Sequence, residues 1–144
     1  PNHPWQKERI EAEKQILKKY GLRRKYEIWK MESLLKKLLH RAKTIIGERT
    51  QQSELEKKQL LSRLYLLGLL KKDSKIEVVL DLTLKDILER RLQTLVYKKQ
   101  LAMTAVQSRQ FITHERIAIG DRKITSPSYL VSIEEEPYIK LINK

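Results

Sequence analysis

Between residues 83 and 131 the chain places hydrogen-bonding, basic and aromatic side chains at nearly every bend. They are Arg90, Arg91, Tyr97, Lys98, Lys99, Thr104, Gln107, Arg109, Gln110, His114, Arg116, Arg122 and Lys123. Cations neutralise phosphates, the planar arginine fork engages two oxygens at once, and a ring can stack on a base or sugar, so this set makes a nucleic-acid surface. A second group, Arg23, Arg24, Lys25 and Tyr26, joins basic and aromatic residues in one connector with the same capacity. Acid–base chemistry has poorer material. Asp73, Asp81 and Asp86 are single carboxylates in a loop, near a turn and at a helix start, where capping or solvation explains them. His114 and Glu115 are adjacent, and adjacent residues seldom converge on one substrate atom. With no cysteine, neither a disulfide nor a cysteine-ligated zinc site can form, and His3, His40 and His114 show no metal-ligand spacing. No catalytic residue, cofactor or metal is expected.

The elements that position these residues follow from periodicity. Leu84, Ile87, Leu88, Leu92, Leu95 and Val96 fall on one face of a single helix begun by Thr83, which leaves Arg90, Thr94, Tyr97 and Lys98 on other faces. Thr104 caps a second, short helix that buries Ala105, Ser108, Phe111 and Ile112 and frees Gln107, Arg109 and Gln110. Beyond His114 the period changes to that of strands, with Ile117, Ile119 and Ile124 around a hairpin tip at Gly120-Asp121, and Tyr129-Leu130-Val131 reads as another short strand.

Upstream, Pro4 fits an initial helical turn and Gly21 a helix stop. A second helix carries the stripe Ile28, Met31, Leu35, Leu38, Ala42 and Ile45 before Gly47, with Tyr26 and Trp29 divided between core packing and ligand stacking. A third starts at the capping box Ser53 to Glu56 and stops at Gly68, while Ile76–Leu82 is either a buried strand or a packed turn. Arg109 is expected to be free for phosphate, and Arg63 to pair or pack locally with Glu56 or Glu54.

Three ordered stretches carry a family resemblance: Glu89 to Thr94 with Val96-Tyr97, Gln107 to Gln110 with Ile112 and His114, and Ile124 to Tyr129. Leu60 to Tyr65 and Leu67 to Leu70 extend it upstream. These residues resemble the S-four family of small-subunit ribosomal proteins in its archaeal or eukaryotic form, without the N-terminal cysteine zinc cluster, and the two helices with their hairpin resemble its S-four RNA-binding module. Two positions depart from the family pattern: Glu115, where glycine is usual, and Gly120-Asp121, where Asn-Gly often forms the tip. The resemblance implies a structural protein that binds small-subunit ribosomal RNA early in assembly, at a multi-helix junction of the 5′ domain. It further implies neighbouring small-subunit ribosomal proteins as partners, and messenger RNA near the region where it enters.

Composition agrees. The 144 residues carry a net charge of +13, which favours a polyanionic partner. Residues 1–50 hold 14 basic and 6 acidic side chains, and residues 84–133 hold 9 and 4. Two basic regions suggest RNA gripped on more than one side. No apolar stretch approaches the ~20 residues of a membrane span, no secretory signal is visible, and a cytoplasmic location is expected. The expected fold is α+β and mostly helical: a helical region over 1–82, an S-four-like module of two helices packed on a small hairpin sheet over 83–133, and a tail over 134–144 in which an acidic break at Glu134 to Pro137 is followed by Tyr138 to Lys144, lying against something or loose. Two other readings compete. S-four modules also serve as RNA-targeting parts of pseudouridine synthases and some aminoacyl-tRNA synthetases, and the helices around Leu101 to Thr104 superficially resemble a DNA-binding motif.

Overall fold

In a computed structural model that describes residues 1–143, three long helices precede three short ones and a small sheet. Helix α1 spans Lys7–Tyr20, α2 Lys25–Gly47 and α3 Gln51–Leu66, followed by a 3-10 turn at Ile76–Asp81. Then come α4 (Leu84–Leu88), α5 (Leu92–Lys98) and α6 (Ala105–Thr113). Strands β1 (Ile117–Ile119) and β2 (Arg122–Lys123) form the hairpin, and β3 (Ile139–Leu141) completes an antiparallel sheet of order β2-β1-β3. The architecture is the mostly helical α+β expected.

Helix α2 buries Ile28, Met31, Ala42 and Ile45, the apolar stripe read from the sequence, and α1 ends at Gly21 in the left-handed conformation. Pro4 stands before α1, in a turn, and outside the helix itself. The cap of α3 lies three residues earlier than expected. Thr50 is the N-cap, its hydroxyl accepting from the Ser53 amide, while the Ser53 hydroxyl accepts from the Thr50 amide. Ser53 therefore closes a reciprocal box from inside the first turn. The ambiguous segment Ile76–Leu82 is the packed turn, with Ile76, Val79 and Leu82 buried against Ala42, Ile45, Leu60 and Leu64.

The single helix expected after Thr83 is two. The apolar spacing stays in phase from Leu84 to Val96, yet the chain breaks at Glu89 to Arg91, where Arg91 turns extended. Backbone from the segment 127–131 takes the place of a helical turn: Leu92 N–H donates to the Tyr129 carbonyl at 2.8 Å, and Val131 N–H donates to the Arg90 carbonyl at 3.0 Å. Tyr129 to Val131 accordingly makes only one bridge, Leu130 with Arg91, and no strand. Thr94, expected on an outer face, is buried and donates to the Leu88 carbonyl.

Three apolar clusters make up the interior. The first packs α5, Ile112 and the sheet; the second packs α2, α3 and the 3-10 turn. The third joins Tyr20, Leu22, Ile28 and Met31 to Ile87 and Leu88 of α4, so the helical region and the module share a seam of core.

Candidate nucleic-acid interface

The connector between α1 and α2 owes its place to Gly21. Its φ of +65° suits glycine, and a Cβ there would stand 2.9 Å from the Ala105 backbone, so the connector lies directly against the first turn of α6. Gln93, buried in α5, locks this contact by donating to the carbonyls of Gly21 at 3.0 Å and Ala105 at 2.9 Å. One amide thus joins three elements.

Glu27 organises the charges around that contact. One carboxylate oxygen accepts from the Arg23 and Arg24 amides, capping α2. The other lies 2.8 Å from the Arg109 guanidinium and 3.9 Å from that of Arg91. Burial alone pushes the Glu27 carboxyl up, but the Arg109 bond, the two backbone amides and the Arg109 charge outweigh it and hold the group below the usual carboxylate range. Arg109 is therefore tied inside the molecule and not free as expected, because a carboxylate far away in sequence reaches it first. Glu13 makes a similar centre within the helical region. At 3% exposure it meets Arg9 at 2.6 Å, the Trp29 indole at 2.9 Å and Lys25 at 3.5 Å. Burial raises its carboxyl, and these partners together lower it further than burial raises it.

The candidate residues fall into those already engaged by partners within the fold, of which Lys98 and Thr104 are nonetheless exposed, and those that project outward. Arg91 is 1% exposed, and burial draws its guanidinium down from its ordinary value against the opposing pull of Glu27. Its buried position corrects the reading of Arg91 as a surface cation. Arg90 also points inward, pairing with Glu136 at 2.9 Å and donating to the Val131 carbonyl at 2.8 Å. Lys99 donates to the Glu136 carbonyl, and Lys98 lies 3.2 Å from Glu89. Thr104 accepts from the Gln107 amide, and Gln107 reaches back to the Met103 amide, so both serve the cap of α6.

The others stand outward. Arg23, Arg24, Gln110, His114 and Lys123 are exposed, as are Tyr97 and Tyr26, the latter at 65%. Trp29 packs inside against Glu13, which divides the two aromatics at the start of α2 between surface and interior. The hairpin has the expected two-residue tip, since Ala118 pairs with Lys123 and Ile119 with Arg122, and Gly120 alone of the tip residues takes a positive φ. Arg122 donates to the Tyr129 hydroxyl at 2.9 Å and lies over its ring, while Arg116 lies over Phe111. Glu115, the departure from glycine, sits at a positive φ of 61° just after α6.

The acidic run after Ile133 has a structural use. Glu136 holds Arg90, and Glu135 accepts from the Tyr129 hydroxyl at 2.7 Å and the Ser132 hydroxyl at 3.0 Å. Residues 139–141 then pair with β1. Among the described residues no cluster of three histidine or acidic side chains is placed to hold a metal, and no helix is long and apolar enough to cross a membrane.

Comparison with known proteins places this geometry. Residues 90–136 match the family model of the S4 domain. Over 140 residues the chain is 46% identical to the "Small ribosomal subunit protein uS4" of Saccharolobus solfataricus, covering 96% of this chain and 77% of the relative. The chain belongs to the uS4 family. Proteins of the same name from two strains of Saccharolobus islandicus match with the same identity and coverage. In this uS4 family member, the matched S4 domain begins at Arg90 and ends at Glu136, the two partners of the ion pair described above. Sequence reasoning missed Glu27 and Gln93 as organisers. Glu27 stood in the first turn of α2, where a carboxylate caps, and Gln93 interrupted an apolar helix, but nothing local named their distant partners.

Proposed function

We propose that this chain is a structural constituent of the small ribosomal subunit in the cytoplasm, and that it binds small-subunit ribosomal RNA without catalysing a reaction. The observation that carries the reading is the 46% identity, over nearly the whole chain, to proteins named for the small subunit. The geometry supports it: the connector with Arg23 and Arg24 leads from its contact with α6 into Lys25 and Tyr26 at the start of α2, so two basic stretches distant in sequence can form one face. On this face, Arg23, Arg24, Tyr26, Tyr97, Gln110 and His114 meet RNA directly, with Arg116, Arg122 and Lys123 extending it along the hairpin. Lys25, Lys98, Lys99, Thr104, Gln107 and Arg109 support it from positions already paired within the fold. Recognition is of folded RNA shape, because single cations and rings engage backbone and unstacked bases and cannot read the deep groove of an RNA helix.

The finer reading is early binding at a multi-helix junction of the 5′ domain, beside other small-subunit proteins and near incoming messenger RNA. The test is a salt titration with the native RNA domain and with a scrambled RNA of equal length. Each phosphate neutralised adds roughly 0.7–0.9 to the magnitude of the negative slope of log affinity against log salt. A flat titration sinks the electrostatic reading, and equal affinity for scrambled RNA sinks recognition by shape. Cosedimentation with small subunits tests the assembly itself.

A further inference from the structure

A groove lies between the middle of α2, the end of α3 and the α4–α5 break. Its volume is about 290 Å³. Six aliphatic side chains form its floor: Leu34, Leu38, Leu67, Leu69, Ile87 and Leu130. Lys37, Arg41, Arg63 and Arg90 stand at its edge, and no carboxylate lines it. Arg90 is neutralised by Glu136, whereas Lys37, Arg41 and Arg63 are exposed and make no ion pair among the described residues. Arg63 therefore does not pair with Glu54 or Glu56 as its neighbours in sequence suggested; its helix turns it toward the groove.

We infer that this groove is a docking site for an acidic segment of a partner protein, which inserts one large apolar side chain between flanking carboxylates. The choice of protein over RNA rests on the floor. A nucleobase carries polar edges, and an aliphatic hollow offers neither partners for them nor an aromatic face for stacking. A leucine side chain leaves no polar group unpaired there and gains from burial. Three unpaired cations around it suit carboxylates, which the arginine forks can hold with two bonds each. The volume is at the small end for ligand sites, which fits a single anchoring side chain.

The inference goes beyond the RNA-binding reading and can fail independently of it. The probe is a short fluorescein-labelled peptide with a central Leu-Trp pair flanked by glutamates, titrated by anisotropy into the whole chain. Arg41→Glu combined with Arg63→Glu should weaken binding about tenfold or more, since charge-assisted contacts become repulsions. Replacing the Leu-Trp pair by Gly-Ser should cost a similar factor. If the doubly substituted protein loses helix signal, Lys37→Glu on the exposed face of α2 repeats the test. Equal binding of the Gly-Ser peptide, indifference to the charge reversals, or no binding overturns the inference. So does a short single-stranded RNA that displaces the peptide and is itself lost in the double variant, because a nucleotide would then be the occupant. The affinity of the double variant for the small-subunit RNA domain is measured alongside. Loss of RNA binding by the unaltered chain with peptide binding intact would count against the ribosomal RNA reading alone.

Discussion

The seam between the connector and α6 and the tip of the β1–β2 hairpin are both basic, yet they are built in opposite ways. At the seam, Gly21 leaves no room for a side chain, Gln93 is buried with two carbonyl partners, and Glu27 holds two arginines. At the tip, nothing lies within 4 Å of where a Gly120 Cβ would stand, and Arg122 and Lys123 are exposed. Positive charge at the seam is therefore part of the fold, whereas at the tip it is mounted on the fold. Substitutions at the first should register mainly in stability and at the second mainly in binding.

The largest effect should come from Gly21→Ala. The new Cβ meets the Ala105 backbone at 2.9 Å and also forces an L-residue into a left-handed conformation. Strain and overpacking together cost about 2–4 kcal/mol, read by urea denaturation. A loss below about 1 kcal/mol would mean that the connector can slide off α6, and the contrast would collapse.

Glu27→Gln ranks next, at about 2 kcal/mol, because Arg91 is left buried without a carboxylate. Its acid dependence follows from the lowered carboxyl. The folded group ionises below its unfolded value of about 4.3, so its contribution is complete above that pH and disappears as pH falls through the folded value. Unfolding midpoints measured from pH 6 downward should fall less steeply in Glu27→Gln than in the unaltered chain. Parallel curves would show that the carboxylate contributes nothing across the seam.

Gly120→Val should cost about 1–2 kcal/mol, from backbone strain alone, since its surroundings are open. RNA affinity should fall while the helical circular dichroism signal changes little. Unchanged affinity would remove the hairpin from the binding face. The smallest effect is a gain: Glu115→Gly relieves a positive φ after α6 and should add about 1 kcal/mol of stability. A loss instead would show that the Glu115 side chain is needed where it stands.

What the sequence disclosed was whatever neighbours decide. The Thr104 cap, the Gly68 stop, the α2 stripe and the Gly120-Asp121 tip each depend on residues within a few positions, and all four stand in the structure. The break at Arg91 was hidden because the apolar spacing ran through it in phase; backbone from 127–131 imposes it. The fates of Arg109 and Arg63 were exchanged for a similar reason. Glu27 captures the first from another helix, and the packing of α2 on α3 leaves the second at an open groove. A charge pattern identifies which cations exist, but the tertiary fold decides which of them remain available.

Strand β1 is central to its sheet, and its second neighbour, β3, comes from residues 139–141. During synthesis the chain emerges from its N-terminal end, so α1 to α3 can pack while the last strand is still being made. One edge of β1, with the Gly120 amide that will later donate to the Tyr138 carbonyl, stays uncovered until then. The hairpin therefore gains its second neighbour only after residues 139–141 have been made, although its own two strands are close in sequence.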